Sequence, residues 1–435
     1  MGLNSKVSVI GLGVGYALAC CLAEAGYRTV GVDIDPRSVA HPRKDASVER
    51  LLKRRRVRAQ VAKNLSLTTR YDAIKTSRFI IVCVSTGDEK KLVLGHVEDS
   101  VRQALRVLRS SPAGQAPVLM VYSTLPFGSS LRLRQVFNEE KVAIDRQVGY
   151  VHFPLMIAQG TTAEDFVNPP FVVFGAYDPN TAKRSMNFYR RFITRSCLLE
   201  RMPPMFTGTP EEAELAKLTA NAYLTTKIAL SNEFGALCEQ LNIDGQKIME
   251  IVGSDWRIGR KFTRPGYAAG GACFPRDLKS LIETYRTSRV EPCILSAVDA
   301  SNESRKTDPM DKIEGTEIAV LGTSYKSGVR DERGSPALDL IKRLRNDGFS
   351  VETFNPKSSN KVGLRAVVQN KDTVIVTIPE VAFRELGKNL GERVKVVLDY
   401  SNIVDGRLIP AGVRFWQAGR GWSILSTSQR RREQL

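Results

Sequence analysis

The sequence predicts an α/β protein in which two doubly wound domains are joined by a long central helix and a helical middle domain. Two observations place the α/β domains and a third places what lies between them. Residues 6–35 and the stretch that begins at Thr316 each read as strand, turn, helix and strand, whereas residues 211–241 carry a helical pattern with no strand signal. Strands alternating with helices imply a parallel sheet covered on both faces. A chain of 435 residues is also too long for one ordinary core. The expected divisions are 1–205, 206–305 and 306–435.

Taken in order, residues 6–10 form a short apolar run, 17–25 are helix-prone and 27–33 form a second apolar run. Further strands are expected at 78–84, 117–122, 147–153 and 171–175, with a boundary in the Pro-containing stretch 202–210. In the central helix, Leu215, Leu218, Ala222, Leu230, Phe234 and Leu237 recur at steps of three and four. A helix of this length crosses a molecule or pairs with a copy of itself, so a homodimer is expected. From Thr316, the segments TEIAVLG, SPALDLIKRLRNDG and SVETF repeat the strand, helix and strand order. Ser335 suits an N-cap, Pro336 the first helical position and Gly348 the end. Strands at 373–377 and 394–399 complete this domain, and the basic tail after Ser426 is expected to be disordered.

Composition excludes several classes. Hydrophobic residues make up 42% and charged residues 25%, a globular balance. The apolar runs are strand-length, short of the ~20 residues of a membrane span, and the first leads straight into a Gly-rich turn rather than a signal peptide. A cytoplasmic setting without membrane contact is the expectation. Seven cysteines show no CxxC pair, and three histidines are widely separated, so neither a disulfide framework nor a metal site is expected. The net charge of +18 includes a dense cluster at Arg54, Arg55, Arg56 and Arg58, but no aromatic residues interleave it. It reads as a solvated face, not a nucleic-acid surface.

Gly11-Leu-Gly13-Val-Gly15 lies between a strand and a helix, where backbone amides and the helix dipole can hold a pyrophosphate. Asp33 ends the second strand, 22 residues after Gly11, where its carboxylate can accept ribose hydroxyls and repel a 2′-phosphate. The cofactor expected of this Rossmann-like domain is therefore NAD. Tyr16 stands where the third glycine of the usual spacing belongs, with Gly15 one residue early. Either the turn is one residue shorter or the cofactor is held differently.

The most specific stretch is residues 257–278, RIGRKFTRPGYAAGGACFPRDL, in which Gly270 and Gly271 precede Cys273 and leave room for a ligand to approach the backbone. With EAELAKLTANAYLTTKIALSNE at 212–233, VYSTLPFGSS at 121–130, DFVNPPFVVFG at 165–175 and VLGTSYKSGVRDERGSPALDLI at 320–341, it resembles the UDP-glucose/GDP-mannose dehydrogenase family over about the whole chain. The resemblance implies an NAD-dependent enzyme that oxidises the C6 alcohol of a nucleotide sugar, most naturally a UDP-hexose, to a carboxylate in two hydride transfers.

It also implies roles. Cys273 would add to the intermediate aldehyde and carry a thioester. Lys217 and Asn221, four apart on one helix face, would stabilise the oxyanion, and Asp277 and Thr124 would position water. Lys326 and Arg333 match positions that hold the phosphates and uridine side of the nucleotide sugar. Arg257, Phe262 and Gly266 match the substrate loop, and Ser85, Thr86, Thr124 and Arg333 join the glycines and Asp33 as cofactor-binding residues.

Three departures mark a diverged member. The family's PEFLREG reads Pro154-Leu155-Met-Ile-Ala-Gln159-Gly160, so Leu155 and Gln159 replace two glutamates at substrate and catalytic positions. A glutamine orients water but cannot take its proton, and a missing general base costs ~10²–10⁴ in rate. The family's DGRN reads Asp399-Tyr400-Ser401-Asn402, and Gly334 replaces the glutamate after Arg333. Alternatives are accordingly an oxidation that stops at the aldehyde, slow thioester hydrolysis, or a nucleotide-sugar-binding subunit without turnover.

Overall fold

The computed structural model describes residues 5–423 except 43, 88–90, 110–115, 155 and 359–361. Leu155 and the tail after Ser426 therefore lie outside the described residues. The chain divides into two compact units, Met1–Ala220 and Asn221–Leu435.

Among the described residues the first unit holds eight strands: β1 (Lys6–Ile10), β2 (Arg28–Val32), β3 (Leu65–Thr68), β4 (Phe79–Val82), β5 (Val118–Val121), β6 (Gly149–His152), β7 (Val172–Ala176) and β8 (Met205–Gly208). They form one sheet in the order β3-β2-β1-β4-β5-β6-β7-β8, parallel throughout except where β7 runs against β6. The apolar runs form strands because both faces are buried. Phe79 and Ile81 of β4 point into one core cluster, and Ile80 and Val82 into the other. In β5, Val118 and Met120 pair off against Leu119 and Val121 in the same way, the period-2 alternation of a doubly covered sheet. The order reverses between β2 and β4 around β1, which opens a crevice at the carboxyl ends of these strands.

The second unit holds β9 (Glu317–Leu321), β10 (Ser350–Phe354), β11 (Thr373–Val376), β12 (Val396–Asp399), β13 (Arg414–Gln417) and β14 (Gly421–Trp422). Their order is β10-β9-β11-β12-β13-β14, parallel up to the last, antiparallel pair. Here too successive residues alternate, with Ala319 and Leu321 in one cluster and Ile318 and Val320 in the other. Before this sheet come the helices Gly245–Ser254, Phe274–Thr287 and Cys293–Thr307. The central helix runs Pro210–Gln240 for 31 residues, as the three-and-four spacing predicts.

Strands β3, β8, β13 and β14 add to the sequence expectation. LSLT of β3 and MFTG of β8 are half-exposed edge strands with no continuous apolar run to announce them. The helix Pro336–Asn346 begins with Pro336 and ends before Gly348 (φ 88°), but the Ser335 hydroxyl makes no cap bond. Among the described residues no helix is long and apolar enough to cross a membrane, and no cluster of three or more side chains could hold a metal ion.

Candidate active site

In the first unit, the turn after β1 is built around glycine. Gly11 has φ 91°, and a Cβ there would sit 2.6 Å from the Cys83 carbonyl oxygen. The next helix, Gly15–Glu24, starts directly at Gly15, where a Cβ would meet Val9 and Cys83 at 3.0 and 3.1 Å. Gly15 thus does the close helix-on-strand packing usual for a third glycine, so the turn is one residue shorter. Tyr16 is instead buried with its phenol beside Cys20, and burial pushes both groups' pKa up. Gly13 has open space around it, and no side chain caps the helix, so its first amides suit an anion.

Asp33 braces this turn, accepting from the Leu12 amide at 2.7 Å and from the Asp35 amide at 3.0 Å. At the end of β4, Thr86 is buried, while Ser85 is exposed and donates to the Gly87 carbonyl at 3.0 Å. Thr124, half-buried, follows β5; the neighbouring Ser123 donates to the Val84 carbonyl at 2.6 Å and ties the two strand ends together. The open Gly13, the uncapped amides and the braced carboxylate fit a dinucleotide.

Gln159 is half-buried in a loop pinned by carboxylates: Asp45 accepts from the Gly160 amide at 3.1 Å, and Asp165 from the Ala158 amide at 2.7 Å. Lys217, on the central helix, is buried with 7% exposure.

The second unit holds the cysteine. Cys273 is exposed and is the N-cap of the helix Phe274–Thr287, the helix end whose dipole favours an anion. One turn on, Asp277 is fully buried. Asn221 donates to its Oδ2 at 2.6 Å, and the Arg276 guanidinium reaches its Oδ1 at 3.0 and 3.1 Å. Asn221 and Asp277 were expected from the sequence and are brought together; Arg276, equally buried, was not. Its position inside the quoted motif was the available signal.

The two glycines before Cys273 differ from expectation. A Cβ on Gly270 would lie 2.3 Å from Pro336, and one on Gly271 (φ 87°) 2.8 Å from the Tyr325 ring. The Gly271 amide donates to the Gly334 carbonyl at 2.9 Å. The approach they permit is that of the protein's own loop, the one carrying Lys326 and Arg333. Tyr325 closes this contact; burial, with Cys273 nearby, pushes its phenol up to about 12. Lys326 stands 5.8 Å from the centre of the Tyr325 ring, and Arg333 is exposed and forked onto Asp331 at 2.6 and 3.0 Å.

In the proposed substrate loop Arg257 is exposed and forked onto Asp255. Phe262 adopts φ 65°, a conformation rare for a side-chain-bearing residue, with its ring 6.0 Å from Phe274. Gly266 donates to Asn232 at 2.8 Å and accepts from Arg305 at 2.9 Å. Where the family has DGRN, Asp399 is fully buried and spends its oxygens on Ser401, Val404 and Gln417.

Comparison with known proteins decides the family. Residues 5–193, 211–304 and 319–406 match the NAD binding, central and UDP binding domains of the UDP-glucose/GDP-mannose dehydrogenase family. The chain belongs to this family. It is an NAD-dependent dehydrogenase acting on nucleotide sugars. A GDP-mannose 6-dehydrogenase of Pseudomonas aeruginosa is 28% identical over 398 residues, covering 87% of this chain and 86% of the relative. A UDP-glucose 6-dehydrogenase of Bacillus subtilis is 27% identical over 431 residues, covering 92% and 89%. Among solved structures, a UDP-glucose dehydrogenase from Pyrobaculum islandicum superposes with TM-score 0.81 at 26% identity, covering 97% of this chain and 98% of that one.

Proposed function

We propose that the chain oxidises the C6 hydroxyl of a nucleotide sugar, a UDP-hexose in the first instance, to the uronate by way of Cys273. NAD supplies the hydride acceptor for both oxidations. In the first, the alcohol loses a hydride and a proton and becomes an aldehyde. The Cys273 thiolate then adds to the carbonyl carbon to give a thiohemiacetal, whose oxidation leaves a thioester; water releases the carboxylate and regenerates the thiol. Lys217 and Asn221 balance the developing oxyanion, and Asp277 with Thr124 orients the water. Lys326, Arg333 and Arg257 supply cations for the diphosphate, and Phe262 and Gly266 shape the sugar loop. Gly11, Gly13, Gly15, Asp33, Ser85 and Thr86 hold the dinucleotide.

The observation that carries this reading is the buried Asn221–Asp277–Arg276 group one helical turn from an exposed cysteine at a helix N-terminus. A buried carboxyl group so fully engaged is held in one orientation, which suits orienting water. With Gln159 in the place of a carboxylate, the hydrolysis of the thioester is the slow step.

The division at residues 205 and 305, a homodimer through the central helix and a cytoplasmic setting belong to the same proposal. Exposed Leu230, Phe234 and Leu237 form one stripe on that helix, and no disulfide joins the described cysteines.

Incubating the protein with NAD and a panel of nucleotide sugars, and repeating the panel with Cys273→Ser, tests the proposal. Carboxylate from the wild type, with the variant arrested after the first oxidation, is the expected pair of results. Full uronate production by the variant sinks the cysteine mechanism, and inactivity of the wild type on every sugar sinks the whole reading.

A further inference from the structure

The carboxylate of Glu214 lies on the central helix, yet its work is done on a loop that is distant in sequence. It is fully buried. Its Oε2 accepts from the Gly128 amide at 2.7 Å, and its Oε1 accepts from both the amide and the hydroxyl of Ser130 at 2.6 Å. These donors open the helix Ser129–Glu139, whose N-cap, Gly128, sits at φ 85° and offers no side chain of its own. Glu214 therefore caps that helix from outside. The segment it caps begins at Ser123, tied to Val84, and contains Thr124. Lys217 follows Glu214 by three residues on the same helix, hence on the same face.

We propose that Glu214 is a positioning residue for the dehydrogenase reaction: by capping the helix Ser129–Glu139 it fixes the Thr124 loop to the helix that carries Lys217. The inference rests on the reaction proposed above for those two residues. The ionised carboxylate is the stronger acceptor for all three donors, and protonation weakens this set of bonds. Burial pushes this carboxyl up to about 7, more than its three hydrogen bonds lower it. The groups facing it leave that assignment clear. Glu211, one turn earlier, adds a like charge and accepts from Tyr177 at 3.2 Å. Tyr150 shares the Ser130 hydroxyl at 2.9 Å, and Arg134 stands 5.1 Å from the Tyr177 ring centre. Burial pushes both phenols far above neutrality. The loop is thus locked above neutral pH and loosened below it.

The expected results are a wild-type kcat that rises as pH passes about 7 and a Glu214→Gln variant that lacks this inflection. Displacing a reacting group by a fraction of an ångström to an ångström costs up to about 10²-fold, so the variant's kcat should fall about 10- to 100-fold. Adding Thr124→Ala to Glu214→Gln should cost nothing further, since Glu214 acts through the loop. Ser130→Ala, which keeps the carboxylate but removes a donor, should move the inflection to higher pH. Hydrogen exchange of residues 124–130, compared between wild type and Glu214→Gln at one pH, reads the same hold without turnover and should be faster in the variant. Unchanged exchange, a retained inflection in Glu214→Gln, or multiplicative losses in the double variant overturns the proposal. A wild type inactive on every nucleotide sugar but with the exchange difference present defeats the assigned reaction and leaves the clamp standing.

Discussion

The two α/β sheets share one architecture and bind by different means. In the first, the step from β1 to its helix is short: Ile10 ends the strand and Gly15 begins the helix. That leaves helix amides without a side-chain cap and an open glycine, with Asp33 at the end of the neighbouring strand. In the second, the loop between Leu321 and Pro336 is long and bonded to itself. Thr323 bonds Glu332, the Gly328 amide donates to Glu380 at 2.6 Å, and Arg333 grips Asp331. Asn355 stands after β10 as Asp33 stands after β2, but it donates to Ser324 at 2.6 Å and braces the loop. In the reaction proposed here, the short turn offers backbone amides to phosphate and the long braced loop offers the cationic side chains Lys326 and Arg333. The fold is the common frame, and the length of one connection decides which chemistry the frame offers.

The largest effect is expected at Gly11. Gly11→Ala puts a Cβ against the Cys83 carbonyl at a positive φ, a strain of about 1–3 kcal/mol, and NAD affinity measured by calorimetry should fall at least ~10-fold. Asp33→Asn removes the charge that repels a 2′-phosphate, so the ratio of activity with NAD to that with NADP should drop by about tenfold. In the second unit Gly271→Ala drives a Cβ into the Tyr325 ring and disturbs the long loop. It should raise KM for the nucleotide sugar by about tenfold, by the same strain of about 1–3 kcal/mol, while changing the dissociation constant for NAD much less. Equal effects on both ligands would contradict the division of labour.

Smaller effects are expected at Asp331 and His152. Asp331→Asn frees Arg333 from its fork, and because that guanidinium is exposed the change in sugar KM should be about two- to threefold. The acid response should also separate the units, since all three histidines precede residue 153. His152 is fully buried, and burial holds its pKa down to about 3 against an ordinary 6.5. The unfolded chain takes up that proton first, so the first unit should lose stability as pH falls from about 6.5 toward 3. Acid titration of thermal unfolding should show a shallower loss for His152→Phe.

What the sequence made legible follows from burial. Strands covered on both faces, such as FIIV of β4 and VLMV of β5, read as unbroken apolar runs, and the central helix read from its spacing. Edge strands such as LSLT do not, because none of their residues is fully buried. The glycine turn and Asp33 were expected from motif order, whereas Asn221 and Asp277 were expected only from the family resemblance of their segments. Arg276 and Glu214 were not singled out: a salt bridge to the next residue and a cap on a segment more than 80 residues away leave no periodic trace. Gly270 and Gly271 were recognised as a close approach but assigned to a ligand, because sequence shows that room is needed and not what fills it.

The most direct test of the account is the mass of the intact protein during a single turnover with excess NAD and one equivalent of the active nucleotide sugar. With Gln159 in place of a carboxylate, the account predicts a transient adduct of the nucleotide sugar that maps to the peptide containing Cys273 and decays as uronate is released. Rapid formation of two equivalents of NADH with no adduct at any time, and the same behaviour in Cys273→Ala, would contradict it.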